Sequence, residues 1–169
     1  VQRLEANLRW GSPRKWNGEL GGRHEIYPDD NSVSSAFGWI LAPISSREAA
    51  SLHVGYGFTA QSAVDSRFVP QADINVRPGE PPTTVPGEYN PYYTPSNLRI
   101  HSALATTPLR PNRQLAFEAG GSYALSARED APVLYAVATP PTITVQRDFY
   151  ERSFTPWNAR GSINWDATR

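Results

Sequence analysis

Residues 1–10 read Val1-Gln2-Arg3-Leu4-Glu5-Ala6-Asn7-Leu8-Arg9-Trp10. Leu4, Ala6, Leu8 and Trp10 alternate with Arg3, Glu5, Asn7 and Arg9. A helix would scatter both sets around its circumference, whereas a strand sends them to opposite faces. The stretch is therefore a strand with one apolar and one charged face.

The same period recurs six times. Residues 15–27 set Trp16, Leu20 and Ile26 against Asn17, Glu19, Arg23 and Glu25, and residues 33–42 set Val33, Phe37, Trp39 and Leu41 against Ser34, Ala36 and Gly38. Residues 50–59 alternate Leu52, Val54, Tyr56 and Phe58 with Ser51, His53, Gly55 and Gly57. Residues 96–107 oppose Leu98, Ile100 and Leu104 to Asn97, Arg99 and His101. Residues 115–126 and 157–166 close the series with Phe117, Tyr123, Trp157 and Ile163 against Glu118, Ser122, Asn158 and Arg160. No stretch has an amphipathic helical period.

These segments run to about ten to thirteen residues. Soluble strands usually have about five or six, while a tilted membrane-crossing strand needs about 9–11. Connections alternate too: the turns near residues 11–14, 43–48 and 108–113 are short, while the loops at 61–95 and 128–156 are long. Outer-membrane barrels show this asymmetry, with short periplasmic turns and long external loops. All 16 prolines are expected outside strand interiors, since proline lacks a ladder donor.

The predicted fold is all-β: an antiparallel up-and-down meander of about seven long strands, forming one segment, residues 1–169, of a transmembrane β-barrel. A small extra hairpin from residues 133–139 and 142–147 is expected inside the last loop. Leu4, Leu8, Trp39, Leu52, Val54, Phe58, Leu104, Phe117 and Ile163 are expected to face lipid. Seven strands cannot close an even-stranded barrel. An excerpt of a larger barrel, or a subunit completed by other copies, is expected; without Met, Val1 reads as a processed or truncated end.

Composition narrows the function. Sixteen basic and 16 acidic side chains give no net charge, which argues against a partner held by phosphate contacts, so no nucleic acid is expected. The absence of Cys removes disulfides, thiol nucleophiles and thiolate metal sites. Mean hydropathy is −0.50, a value that a soluble domain shares with a barrel whose strands alternate.

Two segments share a signature 61 residues apart: Tyr93-Thr94-Pro95-Ser96-Asn97-Leu98-Arg99 and Phe154-Thr155-Pro156-Trp157-Asn158-Ala159-Arg160. Each closes a long loop and opens a strand, so a duplicated hairpin unit is implied. With Gly55-Tyr56-Gly57-Phe58, Ala63-Val64-Asp65-Ser66-Arg67-Phe68, Gly120-Gly121-Ser122-Tyr123 and Ala127-Arg128-Glu129-Asp130, the chain resembles the C-terminal barrel of tetratricopeptide-containing outer-membrane exopolysaccharide exporters, the cellulose and poly-N-acetylglucosamine secretion type. The resemblance implies a passive pore in the bacterial outer membrane, with lipid, a polysaccharide in transit and a periplasmic helical-repeat scaffold as partners. The chain departs from that family in having no tetratricopeptide repeats and no complete barrel.

The pore lining is expected to comprise Arg3, Glu5, Arg9, Glu19, Arg23, Glu25, His53, Arg99, His101, Glu118, Asn158 and Arg160. Such mixed charge with asparagine suits a hydroxyl-rich solute, whereas an anion pore would show an arginine excess. The same residues could instead pair across strands and stiffen the wall. No enzyme is expected. Ser51 and His53 share a face without a defined third partner, and Asp29-Asp30-Asn31 reads as a turn rather than a Ca²⁺ site. No cofactor or metal is implied. Two other readings are an extracellular β-rich subunit assembling by edge-strand pairing and a soluble carbohydrate-binding β-sandwich.

Overall fold

A computed structural model describes residues 1–12, 15–46, 50–65, 94–112, 114–139 and 142–166, with backbone alone for Ser46, 132–139 and 142–148. The described chain is all-β, in eight strands: β1 (Gln2–Gly11), β2 (Asn17–Ile26), β3 (Ser32–Ser46), β4 (Ser51–Ala63), β5 (Ser96–Leu109), β6 (Leu115–Thr139), β7 (Thr142–Ser153) and β8 (Trp157–Trp165). All pair antiparallel in one sheet that curves into an open half-barrel.

Seven strands make the wall, in the order β1-β2-β3-β4-β5-β6-β8. β6 is 25 residues long and serves two partners along one side. Its first part pairs with β8 (Leu115↔Trp165 to Tyr123↔Trp157), and its second part with β7 (Arg128↔Ser153 to Thr139↔Thr142). The expected loop at 128–156 is thus mostly a β-hairpin continuing the wall, considerably longer than the small hairpin read from the sequence. Pro43 in β3, at a register shift, Pro108 one residue from the end of β5, and Pro132 inside β6 all lie within strands, contrary to expectation. At Pro132, β6 has passed the end of β5 and has β7 on one side only, an edge position that tolerates a missing amide donor. Of the long loop at 61–95, residues 66–93 lie outside the described residues.

Local chemistry explains the turns. Asp30 adopts φ 61° between β2 and β3, where Tyr27 N–H donates to Asn31 O at 2.9 Å. Asx residues tolerate that left-handed backbone. Between β5 and β6, the Asn112 side-chain oxygen accepts from Gln114 N at 2.9 Å and Leu115 N at 2.8 Å. Asn31, almost fully buried, ties two further segments together: its amide donates to Asp65 O at 2.9 Å and its oxygen accepts from Asp65 N at 3.0 Å. Thr94 Oγ1 donates to the same Asp65 carbonyl at 3.2 Å. The end of β4 and the start of β5 are thereby held beside the β2–β3 turn.

Register fixes the two faces. In antiparallel pairing, residues directly opposite one another project to the same side. The row Asn7, Gly21, Phe37, Thr59, Ile100 belongs to the concave face, and the row Leu8, Leu20, Gly38, Phe58, His101 to the convex face. No second layer covers either face among the described residues. The buried apolar residues there are only Val33, Ala124, Ala127 and Ala131, while Leu4, Leu8, Leu20, Leu52, Val54, Tyr56, Tyr123, Leu125, Trp157, Ile163 and Trp165 stand exposed on the convex side.

β3 and β5 overturn the expected faces. Trp39 and Leu104 lie on the concave side, not among the outward residues, because Trp39 pairs with Glu19 and Leu104 with Gly55. β3 turns Phe37, Trp39 and Leu41 inward and shows Ala36, Gly38 and Ala42 beside Ile40 outward; β5 turns Leu98, Ile100 and Leu104 inward and shows Ala103, Ala105 and Thr107 beyond Arg99 and His101 outward. Glycines make the room. A Cβ on Gly21 would meet the Phe37 ring at 2.5 Å, one on Gly55 would meet Leu41 Cδ2 at 2.8 Å, and one on Gly57 would meet Leu104 at 3.3 Å. Large side chains folded over cross-strand glycines are a recurrent way of pinning register in sheets.

Candidate functional site

The concave face carries the chain's polar chemistry in two flanks. On β1 and β2 it forms a ladder of ion pairs: Arg3–Glu25 at 2.7 Å, Glu5–Arg23 at 3.0 Å and Arg9–Glu19 at 2.9 Å. Each links directly opposite residues of the β1–β2 register, so the alternation of charge in the sequence becomes a cross-strand lattice. Glu19 is the best-held member. Its carboxylate accepts from Asn7 Nδ2 at 2.7 Å and from Trp39 Nε1 at 3.3 Å besides Arg9, and only 7% of its side chain is exposed.

The second flank lies on β6 and β8. Asn158 Nδ2 donates to Ser122 Oγ at 2.7 Å, and Arg160 approaches Glu118 at 4.0 Å. Between the flanks lies a hollow of ≈ 510 Å³. Phe37, Trp39 and Leu41 wall it on one side; Ser102, Thr106, Ser122, Asn158 and Arg160 stand opposite, with Gly57 between. Glycine at positions 55 and 57 keeps β4 low there, which is why the face is hollow. A flat apolar wall opposite hydroxyl, amide and guanidinium donors can hold a molecule with an apolar face and a hydrogen-bonding edge.

Of the expected pore-lining residues, Arg3, Glu5, Arg9, Glu19, Arg23, Glu25, Glu118, Asn158 and Arg160 occupy the concave side. His53 also points to that side but is buried near the short-turn end, opposite Pro43 and Thr106, and its Nε2 has no hydrogen-bond partner. It does not line the hollow. Arg99 and His101 belong to the convex face, a correction to the expected lining. They lie opposite Ala60 and Phe58, and His101 bonds the Tyr56 hydroxyl and packs 5.1 Å from the Phe58 ring.

The unbroken β4–β5 register, from Gln61↔Leu98 to His53↔Thr106, sets that direction. On its other side β5 slips against β6 twice, between Ser96 and Arg99, where Asn97 takes φ 51°, and between His101 and Ser102. β8 pairs with β6 without a slip, and Asn158 and Arg160 turn inward while their counterparts in the duplicated motif do not. Instead the Asn97 amide donates to the Asp130 carboxylate on the outside. Phe37, Trp39, Leu41, Leu104, Ser102 and Thr106 were not expected in the lining. Glycines on the partner strands were the available signal, since each leaves a space that a large neighbour can fill.

No protein family, curated protein or solved structure matches the chain. The resemblance to exopolysaccharide exporters therefore stands on residues of this sequence alone. Among the described residues, no group of three or more histidine, cysteine or carboxylate side chains is placed to hold a metal ion.

Proposed function

We propose that the chain is part of the wall of a transmembrane β-barrel in the bacterial outer membrane, lining a passage by which a hydroxyl-rich polymer such as an exopolysaccharide leaves the cell. The observation that carries this reading is the bare convex face. Fully burying one large apolar side chain is worth about 1.5–3 kcal/mol, so the nine convex groups named above that are not tyrosine, left in water, forgo on the order of 15 kcal/mol. A single sheet with four small buried residues cannot offset that in water. Lipid can.

The dimensions agree. On β4 the outward apolar row Leu52, Val54, Tyr56, Phe58 and Ala60 covers nine residues. At about 3.3 Å per residue and the 35–45° tilt of membrane barrels, this spans about 20 Å. Arg99 and Arg128, the latter ion-paired with Glu151 at 3.5 Å, mark its upper border. Trp10, Trp16 and Trp165 lie near the short-turn end, where aromatic girdles sit. The concave side, with paired charges flanking an aromatic wall, suits sliding contact with hydroxyls better than strong capture of an ion.

Partition is the test. The protein should require detergent for solubility, float with lipid vesicles and migrate faster unheated than boiled on gels. A folded, monodisperse chain in detergent-free buffer would refute the reading. Edge-strand assembly is the second reading, favoured by the complete exposure of β1 and β8. A sandwich would need a second sheet over the apolar face, and the described strands form one sheet.

A further inference from the structure

We infer that the open sheet is completed by strands from outside residues 1–169, odd in number, whose end strands run antiparallel to both β1 and β8, and that a second copy of this chain does not close it. The inference rests on the barrel reading for its lipid-facing side and on pairing alone for strand direction.

Both edges demand a partner. Every residue of β1 and of β8 is exposed, and neither strand contains a proline, a lysine or a register shift. Natural edge strands left in solvent are guarded by such devices or by inward charges; here the inward charges, Arg3, Glu5 and Arg9 on β1 and Arg160 on β8, are already engaged by Glu25, Arg23, Glu19 and Glu118 of the neighbouring strands. Each has an apolar outer row, Leu4, Ala6, Leu8 and Trp10 on β1 and Trp157, Ala159, Ile163 and Trp165 on β8. The completing strands must therefore alternate, apolar outward and polar inward.

Direction decides the rest. Six consecutive antiparallel steps lead from β1 to β8, so the two edge strands run the same way. Rotation of a second copy about the barrel axis preserves strand direction, and would set β1 against the partner's β8 in parallel at both seams. Parallel ladders are slightly weaker per residue, and all six steps within this wall are antiparallel. A two-fold axis perpendicular to the strands would pair β1 with β1 antiparallel, but it would invert one copy across the membrane and leave both β8 edges free. An antiparallel set that meets two edges of one direction must begin and end with strands of the other. Such a set has an odd number of members.

The test is site-directed photo-crosslinking in cells that make the protein. A photoreactive side chain is placed singly at Leu4, Leu8, Ala159 or Ile163, all exposed, and the linked peptides are mapped by mass spectrometry. Four sites prevent one misfolded variant from deciding the outcome. The expected result is linkage to peptides outside residues 1–169, with the residue reached from Leu8 about four positions before that reached from Leu4, and likewise for Ile163 against Ala159. Links from β1 to residues 157–165 of another copy, links between β1 strands, a rising rather than falling order, or no link at any site would each overturn the inference. Membrane fractionation of the same cells separates the two proposals. Antiparallel links in a soluble fraction would remove the lipid-facing role and keep the closure; parallel links in the membrane fraction would do the reverse.

Discussion

Adjacent glycines on β2 provide the sharpest check on register and faces. Gly21 points to the concave side beneath the Phe37 ring, and a Cβ there would lie 2.5, 2.9 and 3.0 Å from three ring carbons. Non-bonded carbons prefer about 3.5–4.0 Å, so Gly21→Ala must push the ring back by about 1 Å. Overpacking of this kind costs about 1–3 kcal/mol, against a gain of about 0.4–1 kcal/mol from a stiffer unfolded chain. Gly22 points outward, and a Cβ there would have only the Ser35 carbonyl at 3.5 Å, an ordinary contact. Gly22→Ala should therefore be neutral or stabilising. The expected gap between the two variants is about 2 kcal/mol, or about 1 M in urea midpoint for a slope near 2 kcal/mol/M. Unfolding in detergent micelles, followed by the fluorescence of the five tryptophans, reads it. In a Phe37→Ala background the obstacle is gone and the gap should shrink to the small intrinsic difference. Equal effects of the two glycine variants, or a gap that survives Phe37→Ala, would refute the assigned face of β3.

Three other outcomes follow from the same geometry. Leu20→Arg at the middle of β2, on the convex side, should cost about 2–4 kcal/mol in lipid, whereas Thr59→Arg in the concave hollow should cost little; unfolding from vesicles compares them. Glu19→Leu strips a shared acceptor from Asn7, Arg9 and Trp39, so it should lower the unfolding midpoint well beyond Arg9→Leu, whose side chain is 73% exposed. Asn31→Ala should destabilise by about 1–3 kcal/mol, because it breaks both bonds to the Asp65 backbone at a buried position; Asn31→Asp, which keeps the acceptor, should recover part of the loss in the same assay.

Strand positions were legible because period two survives in nearly every segment, and the ion-pair ladder of β1 and β2 could be read from Arg3, Glu5, Arg9 and their counterparts. The faces of β3 and β5 could not. In β3 the two alternating sets are largely apolar or small, so polarity alone does not orient them, and in β5 the polar set, Arg99 and His101, faces outward against the polarity rule. Their orientation comes from what lies opposite: Gly21, Gly55 and Gly57 admit Phe37, Leu41 and Leu104. The inward place of Trp39 likewise depends on its pairing with Glu19.

Local alternation and turn chemistry, then, were enough to determine an all-β antiparallel meander, its seven wall strands and its short and long ends, because those properties depend on neighbours in sequence. Tertiary pairing alone decided that the register of β5 on β4 turns Arg99 and His101 outward, that β6 runs on past the wall to pair with β7, and that the sheet stays open with β1 and β8 pointing the same way. Each of these depends on which residue of a distant strand lies opposite, and one residue of slip reverses every side chain beyond it.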